Sequence, residues 1–454
     1  MLASDNFSTF TEQQQQAIAL IHDFLSDELR QFFTLKGYAG TGKSYITCAI
    51  ALSLHHKKVA VTAPSNNAVD VIRQKIKDID PLAERHISFL TLHKYLGLKM
   101  ETLEDTQHLV YCDKMQDTKY DVVFVDECSM VGEKLFNIIR FRGKTSKWIF
   151  IGDPAQLEPV GEESSPCFSH VDSQYELTEV VRSDTSNPVS ALVNNVRRLV
   201  DGSNATLAEI APSFKSSYPN HQKFGVWCYG HSDRKVWYDQ LLRAFSSPKA
   251  SDSCNFARVI TWRNSTERMI NSYVRNKLLD TDLHYVLGET IFTKDVVMRE
   301  GSVVISTASS LLITSVKEKE IVPKFEYEGF RSVSLPGYRL DVEVNGGDRV
   351  MIEVIHPQYL VKWSEYKKEV ATEIKKRTKS ARQYSMWKDY WDIFGAIPEV
   401  SYKYALTVRR SQGMTINNVF PCYADLMSAP EGISKYRNLY VALSRARERV
   451  IMLM

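Results

Sequence analysis

The sequence predicts an α/β chain built on two parallel sheets, with an antiparallel insertion in its second half. Three observations predict this. An apolar run at Phe32–Leu35 is followed by a glycine-rich turn and a helical pattern, the strand–loop–helix order of a parallel unit. Two further apolar runs, Val122–Val125 and Trp148–Ile151, end in polar turns in the same way. After a stretch rich in Ser, Asn and Pro at 202–220, strand and helix alternate again through "KFGVWCYG", "ARVITWRN" and "STERMINSYVRNKLL", and close with "YKYALTV" and "RVIMLM". The insertion, residues 288–355, consists of short alternating runs broken by glycines, which read as antiparallel strands. A basic, aromatic-rich helical segment follows it. Its stripe Trp363, Tyr366, Val370 and its later Tyr384, Trp387, Tyr390 and Trp391 suit either a core or a wall facing a ligand.

The bulk numbers exclude several classes. With 454 residues, 44% hydrophobic and 24% charged, the chain is an ordinary globular protein of two to four domains. A net charge of +3 confines any nucleic-acid surface to a local groove. Seven cysteines without a Cys-x-x-Cys pair argue against a zinc site and a disulfide framework, and for a reducing cytoplasm. The N-terminal stretch lacks the basic-then-apolar pattern of a signal peptide. No run reaches the roughly 18–20 apolar residues that span a bilayer.

The chemistry begins at "GYAGTGKS". Gly37, Gly42, Lys43 and Ser44 fill the G-x-x-x-x-G-K-[ST] template, with Ala39, Gly40 and Thr41 completing the loop. Backbone N–H groups converge there on phosphate oxygens at a helix N-terminus. Lys43 is expected to neutralise the β- and γ-phosphates of ATP, and Ser44 to ligate Mg²⁺. The Val122–Val125 run delivers Asp126 to the metal and Glu127 to the attacking water. The Trp148–Ile151 run leads to Gln156, placed to sense the γ-phosphate. "YELTEVVRSD" offers Arg182 as an arginine contact. Near the end, "NLYVALSRARERV" spaces Leu439, Ala442, Leu443 and Ala446 along one helical face, with Arg445 and Arg447 on opposite flanks.

Together with "FTEQQQQAI", "TAPSNNA", "TLHKYLG", "GDPAQLEPV", "ALTVRRSQGMT" and "YVALSRAR", these motifs run in order from residue 10 to residue 447. In this order they resemble the superfamily 1B (RecD-like) helicases, in particular the Dda-like members of T-even-like phages. The resemblance implies two RecA-like parallel-sheet domains of the P-loop NTPase class, a β-hairpin pin, and an SH3-like β-barrel plus helical insertion. It implies that Gln14 reads the adenine, that Arg182 and Arg445 are arginine fingers, and that Gln156 couples hydrolysis to the track. Lys43, Glu127, Gln156, Arg182 and Arg445 would be the catalytic set. Two departures stand out: Arg409-Arg410 replaces the usual His-Lys, and Ser444 stands where threonine is common.

The implied layout is a first RecA-like domain at 1–200 interrupted by a pin at 97–119, a second at 201–287 and 399–454, and the insertion at 288–398. The implied function is an ATP- and Mg²⁺-dependent helicase moving 5′→3′ on single-stranded DNA and opening forked duplex, in replication or recombination. Such an enzyme would be a monomer without membrane contact, in the host bacterial cytoplasm if phage-encoded, with single-stranded-DNA-binding or replication proteins as partners. Alternatives are a translocase that displaces proteins with little unwinding, and a nucleotide-gated nucleic-acid-binding module. Strand contacts would come from Pro64, Ser65, Asn66, Thr91, His93, Thr407, Arg410, Ser411 and Gln412. His93 could equally be a structural histidine and Asn66 a helix cap. Tyr111 at the pin would either stack on the last base pair or fill the hairpin's own core.

Overall fold

The computed structural model describes residues 10–103, 106–111, 119–143, 145–181, 187–202, 224–299, 302–345, 347–377, 381–430 and 433–454. The chain divides into two compact units, one of 1–99, 111–267 and 405–454, the other of 100–110 and 268–404.

The first unit holds both parallel sheets. Strands β1 (Phe32–Gly37), β2 (Val59–Ala63) and β3 (Ile87–Thr91) precede the short pair β4 (Leu98–Leu103) and β5 (Thr106–Tyr111). After these come β6 (Val122–Val125), β7 (Lys147–Gly152) and β8 (Ser173–Leu177). Six of these strands pair in parallel in the order β3-β2-β6-β7-β1-β8. The inner strands are buried almost without break, as a sheet covered on both faces requires. Phe33, Leu35, Val61, Phe124 and Ile149 fill this core, each worth about 1.5–3 kcal/mol of burial.

The second parallel sheet comprises β9 (Gly225–Tyr229), β10 (Ala257–Thr261), and three strands from the C-terminal part. These are β18 (Ala405–Thr407), β19 (Ile416–Pro421) and β20 (Ala446–Leu453), and the order is β18-β10-β19-β20-β9. The helix Pro188–Val200 starts on an Asn187 cap with Pro188 in its first turn, where the missing N–H costs nothing. It lays Val189, Leu192, Val193 and Val196 against Leu439, Tyr440 and Leu443 of the helix Ile433–Ser444. Ala155 and Leu157, from the loop after β7, join that same core.

One expectation fails here. Arg445 and Arg447 do not share a helix, because the helix stops at Ser444 and β20 starts at Ala446. The β19 ladder captures the chain at once: the Ile416 N–H donates to the Arg445 carbonyl at 2.8 Å. Long-range pairing overrides the helical spacing.

The second unit contains an antiparallel sheet ordered β16-β15-β14-β11-β17, where the sequence resemblance implied an SH3-like barrel. Its strands are β11 (Thr290–Thr293), β14 (Ser310–Ile321), β15 (Leu335–Val344), β16 (Arg349–Ile355) and β17 (Val400–Tyr402). A small pair, β12 (Val297–Arg299) and β13 (Ser302–Ile305), lies beside them in sequence. The aromatic stripe of the following helices resolves as core: Trp363, Tyr366, Val370 and Tyr390 are buried, with Trp387 and Trp391 partly buried against them. The side chain of Tyr384 lies outside the described residues. So does that of Tyr111, whose backbone ends β5.

A buried carboxylate fixes one corner of the second parallel sheet. Asp425 accepts from the Trp262 and Arg263 N–H groups at 2.6 and 3.0 Å, from Arg263 Nε at 2.6 Å and from the Thr266 hydroxyl at 2.7 Å. Burial alone would raise its pKa, but these donors outweigh it and hold the carboxyl below its ordinary value. Asp425→Ala should therefore cost about 3 kcal/mol in denaturant titration, since it strands several buried donors. Because the folded pKa lies below the unfolded one, the stabilisation is complete above the unfolded value of about 3.9 and fades as pH falls through the folded value. The acid limb of stability should shrink in Asp425→Asn.

Candidate active site and nucleic-acid interface

The phosphate loop follows β1 and enters the helix Lys43–Ser53 through Gly42, whose φ of 86° is left-handed. Gly40, with φ 87°, takes the same turn. Gln14 braces the loop from outside. It sits in a capping box at the start of the helix Glu12–Ser26, accepts from the Thr11 N–H at 3.1 Å, and donates to the Thr41 carbonyl at 3.0 Å. Gln14 also lines a cavity with Gly40, Gly42, Tyr45 and Lys75. Lys43 folds back so that its ammonium donates to the Gly37 and Tyr38 carbonyls at 2.7 and 2.8 Å.

These residues open onto a cavity of about 520 Å³. Lys43, Ser44, Asp126, Glu127, Gln156 and Arg445 all line it, as do Gly413 to Thr415 and Lys75. Asp126 and Glu127 hang from the end of β6. Burial raises the pKa of both; for Glu127 the neighbouring Asp126 adds to the rise while Arg445 and Lys43 oppose it. Burial lowers the pKa of Lys43, against the pull of Asp153, Glu127 and Asp126. Glu127 adopts φ 52°, a left-handed backbone rare for a residue with a side chain, at a cost of about 1–3 kcal/mol. Strain of that kind collects where a side chain must be aimed.

Arg445 is buried, with Nε donating to the Val441 carbonyl at 3.2 Å and Nη2 to the Ser444 hydroxyl at 3.0 Å. Ser444 thus steadies the guanidinium. Gln156 is also buried, and its Oε1 has no partner among the described residues. Arg182 lies outside the described residues. Ser44 and Asp126 both line this cavity and offer hard oxygen donors, a set that fits Mg²⁺.

The strand-contact candidates cluster at the ends of β2, β3 and β18. Ser65 caps the helix Asn66–Ile79 by accepting from the Ala68 N–H, so the cap is not Asn66. Thr91 caps the short helix Leu92–Tyr95, on which burial lowers the pKa of His93. Pro64 and Asn66 are half-buried, and Thr407 is buried at the end of β18. Gly413 comes so close to Ala68 that an added Cβ would sit 3.2 Å from the alanine's own, which sets the loop after β18 against the first turn of the helix Asn66–Ile79. Arg410 pairs with buried Glu267 at 3.1 Å, and Ser411 donates to the Val408 carbonyl. The side-chain amide of Gln412 is buried without a partner among the described residues.

Sequence reasoning passed over Asp153, Arg197 and Tyr440, three buried polar residues beside the cavity. Two of them stood inside motifs already singled out. Arg197 had one signal, a charge on the apolar face of its helix.

Fold and motifs together define a P-loop ATPase in which two parallel α/β sheets contribute to one cavity. Known proteins agree. The AAA domain matches residues 9–211 and the UvrD-like helicase C-terminal domain matches 402–453. The ATP-dependent DNA helicase Dda of Enterobacteria phage T4 is 26% identical over 472 residues, covering 97% of this chain and 98% of its own. An uncharacterized protein of Acanthamoeba polyphaga mimivirus is 23% identical, covering 97% and 99%. The fold is shared with Pif1 helicase from Bacteroides in complex with ADP-AlF3 and ssDNA, at 16% identity and a TM-score of 0.51, covering 98% and 92%. It is also shared with a Pif1 structure on unwinding at forked dsDNA, at 17% identity and 0.50, with the same coverage. The chain is thus a homologue of the Dda helicase along nearly its whole length, and it shares the fold of the Pif1 structures.

The loop geometry generates a direct test. A Cβ at position 42 would lie 2.3 Å from Gln14 Nε2, on a backbone that already demands glycine. Gly42→Ala should weaken ATP binding by roughly tenfold or more, from about 1–3 kcal/mol of strain, in a fluorescent-nucleotide titration.

Proposed function

We propose that the chain is an ATP-dependent DNA helicase that tracks 5′→3′ on single-stranded DNA and opens forked duplex ahead of it. One observation carries this reading: Arg445, at the junction of the last helix and β20, shares a cavity with Lys43 and Glu127 from the first sheet. A nucleotide there is gripped from both sheets.

The roles follow from charge and position. Lys43 leaves the carbonyls it holds and neutralises the β- and γ-phosphates. Mg²⁺ bound with the nucleotide would be held by Ser44 and Asp126 and would supply further charge neutralisation at the phosphates. Glu127 orients the attacking water and takes its proton; its raised pKa makes it the stronger base. Arg445 neutralises charge as it develops on the transferred phosphoryl group, an effect worth about 10³–10⁵ in rate. Gln156 reads the γ-phosphate with its buried amide. Loss of that phosphate loosens the grip between the sheets, and the loops carrying Ser65 and Gln412 pass the change to the strand. The track is single-stranded DNA held by its backbone, and the protein works as a monomer.

Duplexes with a 5′ or a 3′ single-stranded tail, in DNA and RNA versions, test the function. Unwinding should require ATP, Mg²⁺ and a 5′ DNA tail, and Glu127→Gln should bind ATP yet unwind nothing. Preference for the 3′ tail, or no DNA-stimulated phosphate release, would overturn the reading. Arg445→Ala tests the shared grip. It should leave equilibrium ATP binding within a few-fold and lower kcat by about 10³ or more. Equal losses of both would reduce Arg445 to an anchor.

A further inference from the structure

The loop that carries Gln156 is tied twice to the helix that leads to Arg445. The first tie is fully buried. The Tyr440 hydroxyl donates to Asp153 Oδ2 at 2.5 Å and accepts from the Ala39 N–H of the phosphate loop at 3.1 Å. Asp153 Oδ1 accepts from the Ala155 N–H at 3.0 Å and from Arg197 Nη1, so the carboxylate fixes the turn into Gln156. Arg197 is held in turn by Asp201 at 3.1 Å, and its guanidinium lies 4.2 Å from the ring centre of Tyr38, in the phosphate loop, and 5.6 Å from that of Tyr440. The second tie is half-buried: Glu158 accepts from Ser434 at 2.9 Å and from Arg437 at 2.8 Å.

We propose that Tyr440 is a positioning residue for ATP hydrolysis, its hydroxyl locking the phosphate loop and the Gln156 turn to the helix that presents Arg445. Three parts that must act on one phosphoryl group hang from one oxygen atom. Tyr440 itself does not line the cavity, so it works through its neighbours. Burial, reinforced by Asp153, pushes its pKa far up, which keeps it a neutral donor at any working pH. Arg197 compensates the buried carboxylate, so the node holds charge without needing water. Arg437 and Glu158 are the outer guard of the same joint.

The proposal rests on the helicase reading above, and the test separates the two. Phosphate release is measured with and without single-stranded DNA for wild type, Tyr440→Phe, Gln156→Ala and the double variant, with ATP titrations for KM. Wild type without DNA stimulation would sink the helicase reading itself. If wild type is stimulated, Tyr440→Phe should lower the DNA-stimulated kcat by about tenfold to a hundredfold with KM changed less than about threefold. On the Gln156→Ala background the same change should cost less than about twofold, because both act through one turn. An unchanged kcat, a rise in KM that accounts for the loss, or full additivity with Gln156→Ala overturns the proposal. Should Tyr440→Phe fail to fold, Arg437→Ala takes its place, since it breaks only the outer tie. It should reproduce the kcat loss at about threefold, again masked by Gln156→Ala. A folded Arg437→Ala with wild-type stimulation would then overturn it.

Discussion

Charge held out of water is the constraint on which the site depends. Lys43, Asp126, Glu127, Asp153, Arg197 and Arg445 lie within or beside one cavity; Asp153, Arg197 and Arg445 are buried and the other three half-buried. Unpaired, any of these would cost several kcal/mol. The fold meets that cost with alternating signs: two cations face the paired carboxylates, and Arg197 faces Asp153. The arrangement has a functional side. A half-buried cation held by two carbonyls, as Lys43 is, has already given up part of its hydration shell to the protein.

Parallel topology explains why these groups meet. Ligands of open α/β sheets gather at the carboxyl ends of the strands. The phosphate loop follows β1, the carboxylates follow β6 and the Gln156 turn follows β7, and all three strands are neighbours. The second sheet departs from that rule: Arg445 comes from the amino end of β20, between the preceding helix and the ladder with β19. That position suits a switch. An arginine at the seam between helix and ladder moves whenever either element shifts, whereas one in mid-helix would need the whole helix to turn.

Much of this was legible in the sequence because the motifs combine local backbone demands with chemistry. Gly42 and Lys43 announce a turn that only glycine allows, next to a helix start. The Val122–Val125 run announces a covered strand by its unbroken apolarity. What remained hidden depends on partners far apart in the chain. Tyr440 and Ala39 are separated by 401 residues, and nothing in either neighbourhood signals the other. The helix end at Ser444 was hidden for the same reason, since the apolar spacing of Leu439, Ala442 and Leu443 carries on to Ala446, while the pairing that stops it comes from β19. The stripe at Trp363 and Tyr366 fitted a core or a ligand wall equally well by spacing alone. Packing decided it.

The paired arginines at 409 and 410 show how a departure from family pattern settles into structure. Arg410 reaches Glu267, a carboxylate with no exposure, and Arg409 donates to the backbone of Glu158, in the loop that also carries Gln156. A histidine in either place would titrate near neutrality and loosen its contact as pH rose. Arginine does not lose its proton in that range. The arginine end of these links between the loop at 409–412, the helix beginning at Asn264 and the Gln156 turn therefore keeps its charge near neutrality. Joints that must transmit small displacements faithfully gain from such constancy, because their stiffness is set by geometry and not by solution conditions.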